Sequence, residues 1–243
     1  MVQTKGSLFS IVPALAGLTC TAYLFSSCNG TANPKAANAD STIQLPAATA
    51  ISKEELAKLK NSCEAWYDTM LKSKGFNGGI IVAKKGNIVF EDYMGTGHLN
   101  STDTVTAITP FHIASVSKTF TAMAVLKLMQ DGKLNIDDEF VKYFPSFNYP
   151  GVTIRTMLNH RSGLPNYVHF MEQLKWDKKK FVSNEDVLNA LITRKAELKD
   201  IAPPNTRFAY CNSNYALLAL LIEKCSGVKY AQFMQQTFFA PLK

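Results

Sequence analysis

The sequence has few of the residues that bind metal ions or cross-link distant segments. It contains four histidines and five cysteines in 243 residues, and no pair of cysteines has the spacing of a zinc site. The acidic run Asp137-Asp138-Glu139 has no further ligands at suitable spacing, so we interpret it as a helix start. We therefore expect no metal ion and no cofactor. One disulfide is possible among Cys63, Cys211 and Cys225, and the sequence leaves its pairing open.

Runs of basic residues are also scarce, although the net charge is +7. The main cluster, Lys175 with Lys178-Lys179-Lys180, is interleaved with Trp176 and Phe181. Basic residues mixed with aromatics can bind nucleic acid, but a solvated surface turn is a far commoner origin of such a cluster. We expect no nucleic-acid partner. A positive chain is compatible with an anionic envelope surface.

The longest apolar run, Leu8–Phe25, falls short of the roughly 20 residues that usually span a bilayer, and Pro13 and Gly17 interrupt it. A charged residue, Lys5, precedes this run and small residues follow it, which is the pattern of a secretory signal. An uncleaved transmembrane anchor is the alternative.

The end of this leader, Leu24-Phe25-Ser26-Ser27-Cys28, resembles a bacterial lipobox, in which Cys28 is acylated after cleavage. Leu18-Thr19-Cys20 fits this pattern less well. We therefore predict a signal peptide over residues 1–27, a flexible tether over 28–50 and one folded domain over 51–243. The protein is expected in the bacterial cell envelope, periplasmic or surface-facing, and bound to the membrane through its lipid anchor.

The stretch Phe111–Gly132 predicts a helix that is apolar on nearly every side and therefore buried. Ser115 and Lys118 lie in its first turn, and their spacing places both on one face, roughly 5–6 Å apart at Cβ. A lysine in partly desolvated surroundings can lose its proton and activate a serine hydroxyl. The positive end of the helix dipole would lie where an oxyanion forms.

Ser-x-x-Lys alone is a weak signal, because about one copy is expected by chance in a chain of this length. A second copy, Ser226-Gly-Val-Lys229, has its glycine just after a predicted helix end, so its serine and lysine should not share a face. We interpret that copy as chance. For Ser115 and Lys118 the alternative is a helix-terminal serine beside a solvated lysine.

Local patterns predict the elements around this helix. Two β-branched runs, Ile80–Val82 and Ile88–Phe90, flank Lys85-Gly86-Asn87 and predict a hairpin over 78–93. Ser52-Lys-Glu-Glu55 predicts a capping box at the start of the first helix. Further helices are predicted from Ser183, over Ser213–Lys224 and over Tyr230–Phe239.

Tyr210 and Asn212 immediately precede an apolar helix, as Ser115 does. A phenol whose pKa is lowered by nearby cations can serve as a general base. An asparagine amide both donates and accepts hydrogen bonds, which suits a substrate amide. The alternative is a core tyrosine followed by a helix-capping asparagine.

Three segments together, Phe111–Thr121, Thr153–Pro165 and Phe208–Leu218, resemble the serine β-lactamase-like family. That family includes class C β-lactamases, DD-peptidases of the penicillin-binding type, esterases and D-aminopeptidases. The runs ASVSKTFTA, LNHRSGLP and YCNSNYALL carry the resemblance, and Ser-x-x-Lys is a motif of such enzymes. The resemblance implies an α+β fold of the β-lactamase/transpeptidase type, an antiparallel sheet with a helical subdomain.

The resemblance also implies roles for individual residues. Ser115 is expected to be the acylated nucleophile, with Lys118 as its proton acceptor or electrostatic partner. Tyr210 is expected to be a general base and acid shared with Lys118, and Asn212 to orient the substrate amide. The Ser115 backbone N–H would be one oxyanion donor. His160 lies in a loop that is structural in the family, so we interpret it as a packing residue.

Two features depart from the family pattern. Cys211 stands where the family often has serine or alanine, a small and tolerable change. The family also has a Lys/His-x-Gly strand that supplies a second oxyanion donor, and no such motif follows Asn212 before Lys243. We therefore expect that the C-terminal strands are absent from this sequence, that it is part of a longer protein, and that one hairpin edge lacks its usual partners.

These observations predict a serine hydrolase that acts through an acyl-enzyme on an amide, ester or β-lactam in a small-molecule or peptide substrate. Without the later strands, its activity is expected to be impaired. The alternative, from a different class of function, is a non-catalytic envelope lipoprotein that binds peptidoglycan peptides or senses penicillins. The absent third motif argues for this alternative, and the intact Ser115, Lys118, Tyr210 and Asn212 argue against it.

Overall fold

The computed structural model describes residues 46–97 and 102–242. The predicted leader, Cys28 and most of the predicted tether lie outside these ranges. The described residues form helices and one small antiparallel sheet, so the α+β class is confirmed. The elements are α1 (Lys53–Met70), β1 (Gly78–Lys84), β2 (Asn87–Met94), α2 (Ser117–Gln130), α3 (Ile154–Leu158), α4 (Tyr167–Gln173), α5 (Asn184–Thr193), α6 (Asn212–Ser226) and α7 (Tyr230–Met234).

The hairpin forms as predicted. β1 pairs with β2 from Gly78 opposite Met94 to Lys84 opposite Asn87. Lys85 and Gly86 make the turn with φ of 51° and 80°, the left-handed conformations that a two-residue turn needs to match the strand twist. Within residues 46–97 and 102–242 the sheet has these two strands only.

Helix α1 packs on the hairpin through Tyr67, whose buried ring lies 5.4 Å from the ring of Phe90. The capping box predicted at its start forms on one side only. The Ser52 side chain accepts from the Glu55 N–H at 3.1 Å, but the Glu55 carboxylate accepts from Lys84 of β1 at 2.6 Å. Lys84 of the sheet therefore binds the Glu55 carboxylate, which the capping-box pattern assigned to the backbone N–H at the start of the helix.

Helix α6 lies at the centre of the hydrophobic core, against α2, α3, α4, α5 and α7. Leu217, Leu218, Leu221 and Ile222 are fully buried, as their near-continuous apolar run predicts. The helix ends at Gly227, which has a φ of 79°, the left-handed conformation that glycine adopts without steric cost.

Helix α2 differs from its prediction in two ways. It begins at Ser117 rather than Phe111, after a short 3₁₀ turn at Ala114–Val116. It is also buried on one side only, since Ala124, Val125 and Leu128 are inaccessible while Met123 is 52% exposed. Apolar composition shows that a helix can be buried, but neighbouring elements decide which of its sides are covered.

Cys63, Cys211 and Cys225 carry free thiols. The disulfide that the sequence left open therefore does not form among them.

Over the residues described, no helix is both long and apolar enough to cross a membrane.

Candidate active site

Ser115 and Lys118 meet where the 3₁₀ turn enters α2. Lys118 is the second residue of α2, and its Nζ donates a hydrogen bond to Ser115 Oγ at 3.2 Å. Ser115 itself lies in the 3₁₀ turn, not in the first α-helical turn where the pattern places it. The preceding residue, Ala114, has a φ of 44°, a conformation that is uncommon for residues with a side chain. After the serine the chain passes through Val116 and enters α2 at Ser117.

Tyr210 comes to the same oxygen from a distant part of the chain. It lies in the extended segment that leads into α6, and its phenol donates to Ser115 Oγ at 2.7 Å. The Lys118 ammonium also lies 5.0 Å from the centroid of the Tyr210 ring. The structure therefore brings Ser115, Lys118 and Tyr210 together around one hydroxyl oxygen.

The surroundings of Tyr210 favour its ionised form. Its hydrogen bond with Lys118, followed by the bond with Ser115, lowers the pKa of Tyr210 below its usual value, and these effects outweigh the opposing effect of burial. A phenol with a lowered pKa is a better proton acceptor near neutral pH. The arrangement can thus take a proton from Ser115 Oγ and return it to a leaving group.

Asn212 is the first residue of α6 and its backbone N–H donates to Asn166 Oδ1 at 3.2 Å. Asn212 lines an open cavity of about 230 Å³ together with Ser117, Lys118 and Tyr167. Asn212 and Lys118 therefore border the same space. An amide at this position can both donate to and accept from a bound amide group.

Two serines fasten the first turn of α6 to the chain between α3 and the start of α4. Ser213 Oγ donates to Pro165 O at 2.6 Å and accepts from the Tyr167 N–H at 2.8 Å. Ser162 Oγ donates to Asn214 Oδ1 at 2.6 Å, and both side chains are buried. Sequence reasoning gave these residues no role, although two polar residues at the start of an apolar run were a usable signal, since a buried polar group needs a partner.

Cys211 fits the small site that the resemblance implies. Its buried sulfur contacts the backbone oxygens of Leu164 and Pro165 at 3.4 and 3.5 Å, and burial raises the pKa of its thiol. A buried thiol with a raised pKa is a packing group rather than a nucleophile.

The second Ser-x-x-Lys copy has a different geometry. Ser226 Oγ bonds to the backbone of Val228 at 3.3 Å. The Lys229 amine bonds instead to Glu223 at 3.2 Å. In this second copy the Ser-x-x-Lys spacing therefore falls at the end of α6, and its serine and lysine bond to other groups.

The acidic and basic clusters form ordinary surface pairs. Asp137 binds Arg155 at 2.6 Å and Asp138 binds Lys142 at 2.7 Å, and these bonds lower the pKa of both carboxyl groups. Within the described ranges no group of three or more histidine, cysteine or acidic side chains is arranged to hold a metal ion. In the basic cluster, Lys178 binds Glu172 at 2.9 Å.

Comparison with known proteins finds a matching family and similar proteins. The Beta-lactamase family model matches residues 64–243. Penicillin-binding protein 4* of Bacillus subtilis (strain 168) is 35% identical over 175 residues, which are 72% of this chain and 38% of that protein. Protein flp of Staphylococcus aureus (strain MRSA252) is 29% identical over 196 residues, covering 76% of this chain and 38% of that protein.

A solved structure shows the same architecture. The penicillin binding protein from Bacillus halodurans superposes with a TM-score of 0.59 at 27% identity, over 78% of this chain and 54% of that chain. The present chain covers 38% of the length of each of the two curated relatives named above.

Proposed function

Because the chain belongs to the Beta-lactamase family, we propose that it is a serine hydrolase that acts through an acyl-enzyme on an amide, ester or β-lactam. The observation that carries this proposal is the position of Ser115 Oγ, which lies 3.2 Å from the Lys118 amine and 2.7 Å from the Tyr210 phenol. A hydroxyl held by a potential base and a cation has the arrangement that nucleophilic catalysis requires.

The reaction follows from these distances. Tyr210, as the phenolate, takes the proton from Ser115 Oγ while the oxygen attacks the substrate carbonyl, and Lys118 stabilises the phenolate. The carbon–nitrogen or carbon–oxygen bond then breaks, and Tyr210 returns its proton to the leaving group. Water, deprotonated by the same phenolate, attacks the ester on Ser115, and the proton passes back to Ser115 Oγ as the acid leaves. The Ser115 backbone N–H donates to the oxyanion, and Asn212 binds an amide of the substrate.

The substrate class is argued from relatives. A relative with 35% identity and a solved structure with 27% identity are both named as penicillin-binding proteins. An acylating serine treats a β-lactam as a strained amide, so labelled penicillins and fluorophosphonates are the natural probes of this site.

The test is to locate the adduct. The protein is incubated with a fluorescent penicillin or a fluorophosphonate, and the adduct is mapped by peptide mass spectrometry. We expect one adduct per chain, on the peptide that contains Ser115, and none on the peptide that contains Ser226. Saturable binding with no covalent adduct would contradict the proposal and favour the non-catalytic envelope-binding function.

The proposal extends to location. We propose a lipoprotein of the bacterial cell envelope, acylated at Cys28 and facing the periplasm or the outside. In a bacterial host fed an alkyne fatty acid, Cys28→Ala should lose the label and move from the membrane to the soluble fraction. Cys20→Ala is the matched control, because Cys20 ends the less suitable of the two cleavage sites, and it should keep the label. Equal labelling of the parent and Cys28→Ala would rule out this anchor.

A further inference from the structure

His160 is the residue that the proposed chemistry does not use, yet it contacts the catalytic tyrosine. It lies in the loop after α3 and has a φ of 58°, which is uncommon for residues other than glycine, asparagine and aspartate. Its ring lies 4.5 Å from the ring of Tyr210 and 5.2 Å from that of Tyr215. His160 therefore packs directly against the tyrosine of the candidate active site.

The backbone on both sides of Tyr210 is held by this one residue. The carbonyl oxygen of His160 accepts from the Ala209 N–H at 2.9 Å. Its ring nitrogen Nδ1 accepts from the Cys211 N–H at 3.1 Å. The left-handed conformation lets carbonyl and ring reach the same segment, so the two peptide N–H groups that flank Tyr210 have one common anchor.

Tyr210 needs such an anchor. Tyr210 is 48% exposed, and holding a partly exposed side chain in one rotamer costs conformational entropy. Its phenol must nevertheless stay within hydrogen-bond distance of Ser115 Oγ. Fixing the flanking peptides and one face of the ring supplies this restraint without contact with the reacting atoms.

We propose that His160 is a positioning residue for Tyr210, and that it works only as the neutral imidazole with an unprotonated Nδ1. A protonated imidazole has N–H groups at both nitrogens and accepts no hydrogen bond. Protonation would therefore set an Nδ1–H against the Cys211 N–H, break that bond and release one side of the segment that carries Tyr210. This inference rests on the proposed function for its kinetic readout, but its structural readout is independent.

The groups around His160 determine the pH at which its imidazole becomes protonated. The charged or titratable groups near its ring are Lys118 from α2, Tyr210 from the segment before α6, and Tyr215 from α6. Burial lowers the pKa of His160 and the positive charge of Lys118 lowers it further, and together they outweigh an opposing contribution from the contact with the Cys211 backbone. Since the ordinary histidine pKa is about 6.5, the neutral form holds the segment at pH 7, and the restraint is lost as the pH falls through a value below the ordinary one.

Two substitutions separate the acceptor from the backbone shape. His160→Asn keeps an acceptor oxygen near the position of Nδ1, tolerates the left-handed backbone and cannot be protonated. His160→Gly keeps the backbone conformation and removes both the acceptor and the ring. At pH 7.5 we expect acylation by His160→Asn to stay within about tenfold of the parent, and His160→Gly to lose on the order of 100-fold, as misplaced catalytic groups do. The loss should fall on the first-order acylation step and not on reversible probe binding.

The pH profile distinguishes positioning from simple packing. In the parent, two protonations reduce acylation in acid, one at Tyr210 and one at His160, so the logarithm of the rate should fall with a slope steeper than one. In His160→Asn only the first remains and the slope should be one. Identical acid limbs in the parent and His160→Asn would overturn the proposal.

A second measurement keeps the proposal testable if no probe reacts. Nitrogen NMR of the full chain should show His160 with its proton on Nε2 at pH 7.5. The protection of the Cys211 amide against hydrogen exchange, relative to the intrinsic exchange rate at each pH, should fall in acid with the same midpoint as the His160 titration. A proton on Nδ1 at pH 7.5, or exchange at Cys211 that ignores the His160 titration, would overturn the proposal. Absence of labelling at every pH, with these NMR results as expected, would instead refute the hydrolase function.

Discussion

Ser115→Ala is expected to reduce acylation by at least about 10³-fold, to the level of non-specific labelling. Oγ is the atom that forms the ester with the substrate, and no other side chain can replace it. The side chain of Ser115 is exposed, so its loss should leave the folded state intact. The adduct is measured by intact mass and in-gel fluorescence, and thermal unfolding of the variant is compared with that of the parent.

The chain provides a matched control for this experiment. Ser226→Ala removes the serine of the second Ser-x-x-Lys copy, in which the lysine bonds to Glu223 instead. Acylation by this variant should equal that of the parent. Labelling that persists in Ser115→Ala, or that disappears equally in both variants, would show that a different group is the nucleophile.

The predictions from sequence hold where neighbouring residues along the chain decide the structure. The β-branched runs around Lys85-Gly86 predict the hairpin, because the two turn residues alone set the left-handed conformations that join the strands. The three motif runs predict the family and the α+β fold of the β-lactamase/transpeptidase type, and both are confirmed. The spacing of Ser115 and Lys118 also predicts their proximity, which a 3₁₀ turn satisfies as well as an α-helical turn.

The predictions are less complete where the structure depends on distant residues. His160 and Cys211 are 51 positions apart, and nothing local indicates that a loop histidine will accept a bond from the peptide after Tyr210. The bend at Ala114 is hidden for the same reason, because alanine has no intrinsic preference for a positive φ. The exposed side of α2 shows a related limit of prediction from sequence. Met123 and Leu126 are apolar residues of the kind usually found in a core, but they are 52% and 43% exposed.

Tyr210→Phe is expected to lower the acylation rate by about 10²–10⁴-fold, the range typical for loss of a general base. The substitution removes one oxygen, which lies 2.7 Å from Ser115 Oγ. It keeps the ring, and with it the packing against His160 and the contact with the Lys118 ammonium. The effect can therefore be attributed to the proton acceptor and not to a collapsed site. It is measured as the first-order rate of adduct formation at saturating probe.

The lowered pKa of Tyr210 also predicts the direction in which activity changes with pH. Hydrogen bonds with Lys118 and then Ser115 lower the pKa of Tyr210, so the reactive phenolate is present above that pKa and is lost as the pH falls through it. The parent should accordingly lose activity in acid, while the residual activity of Tyr210→Phe should lack that step. A Tyr210→Phe profile that keeps the step would assign it to another group.

Tyr215→Phe is the matched control, because it removes the same atom from a neighbouring ring. The Tyr215 ring also lies close to Lys118, at 5.8 Å, but its phenol donates to the Leu158 carbonyl at 2.9 Å and not to Ser115. Losing that bond should cost about 1 kcal/mol of stability and change acylation by less than about tenfold. If the two variants lost activity equally, the phenol of Tyr210 would have no special place in the chemistry. A large loss in Tyr210→Phe alone would mean that one oxygen, delivered to Ser115 from 95 residues away in the sequence, is the base.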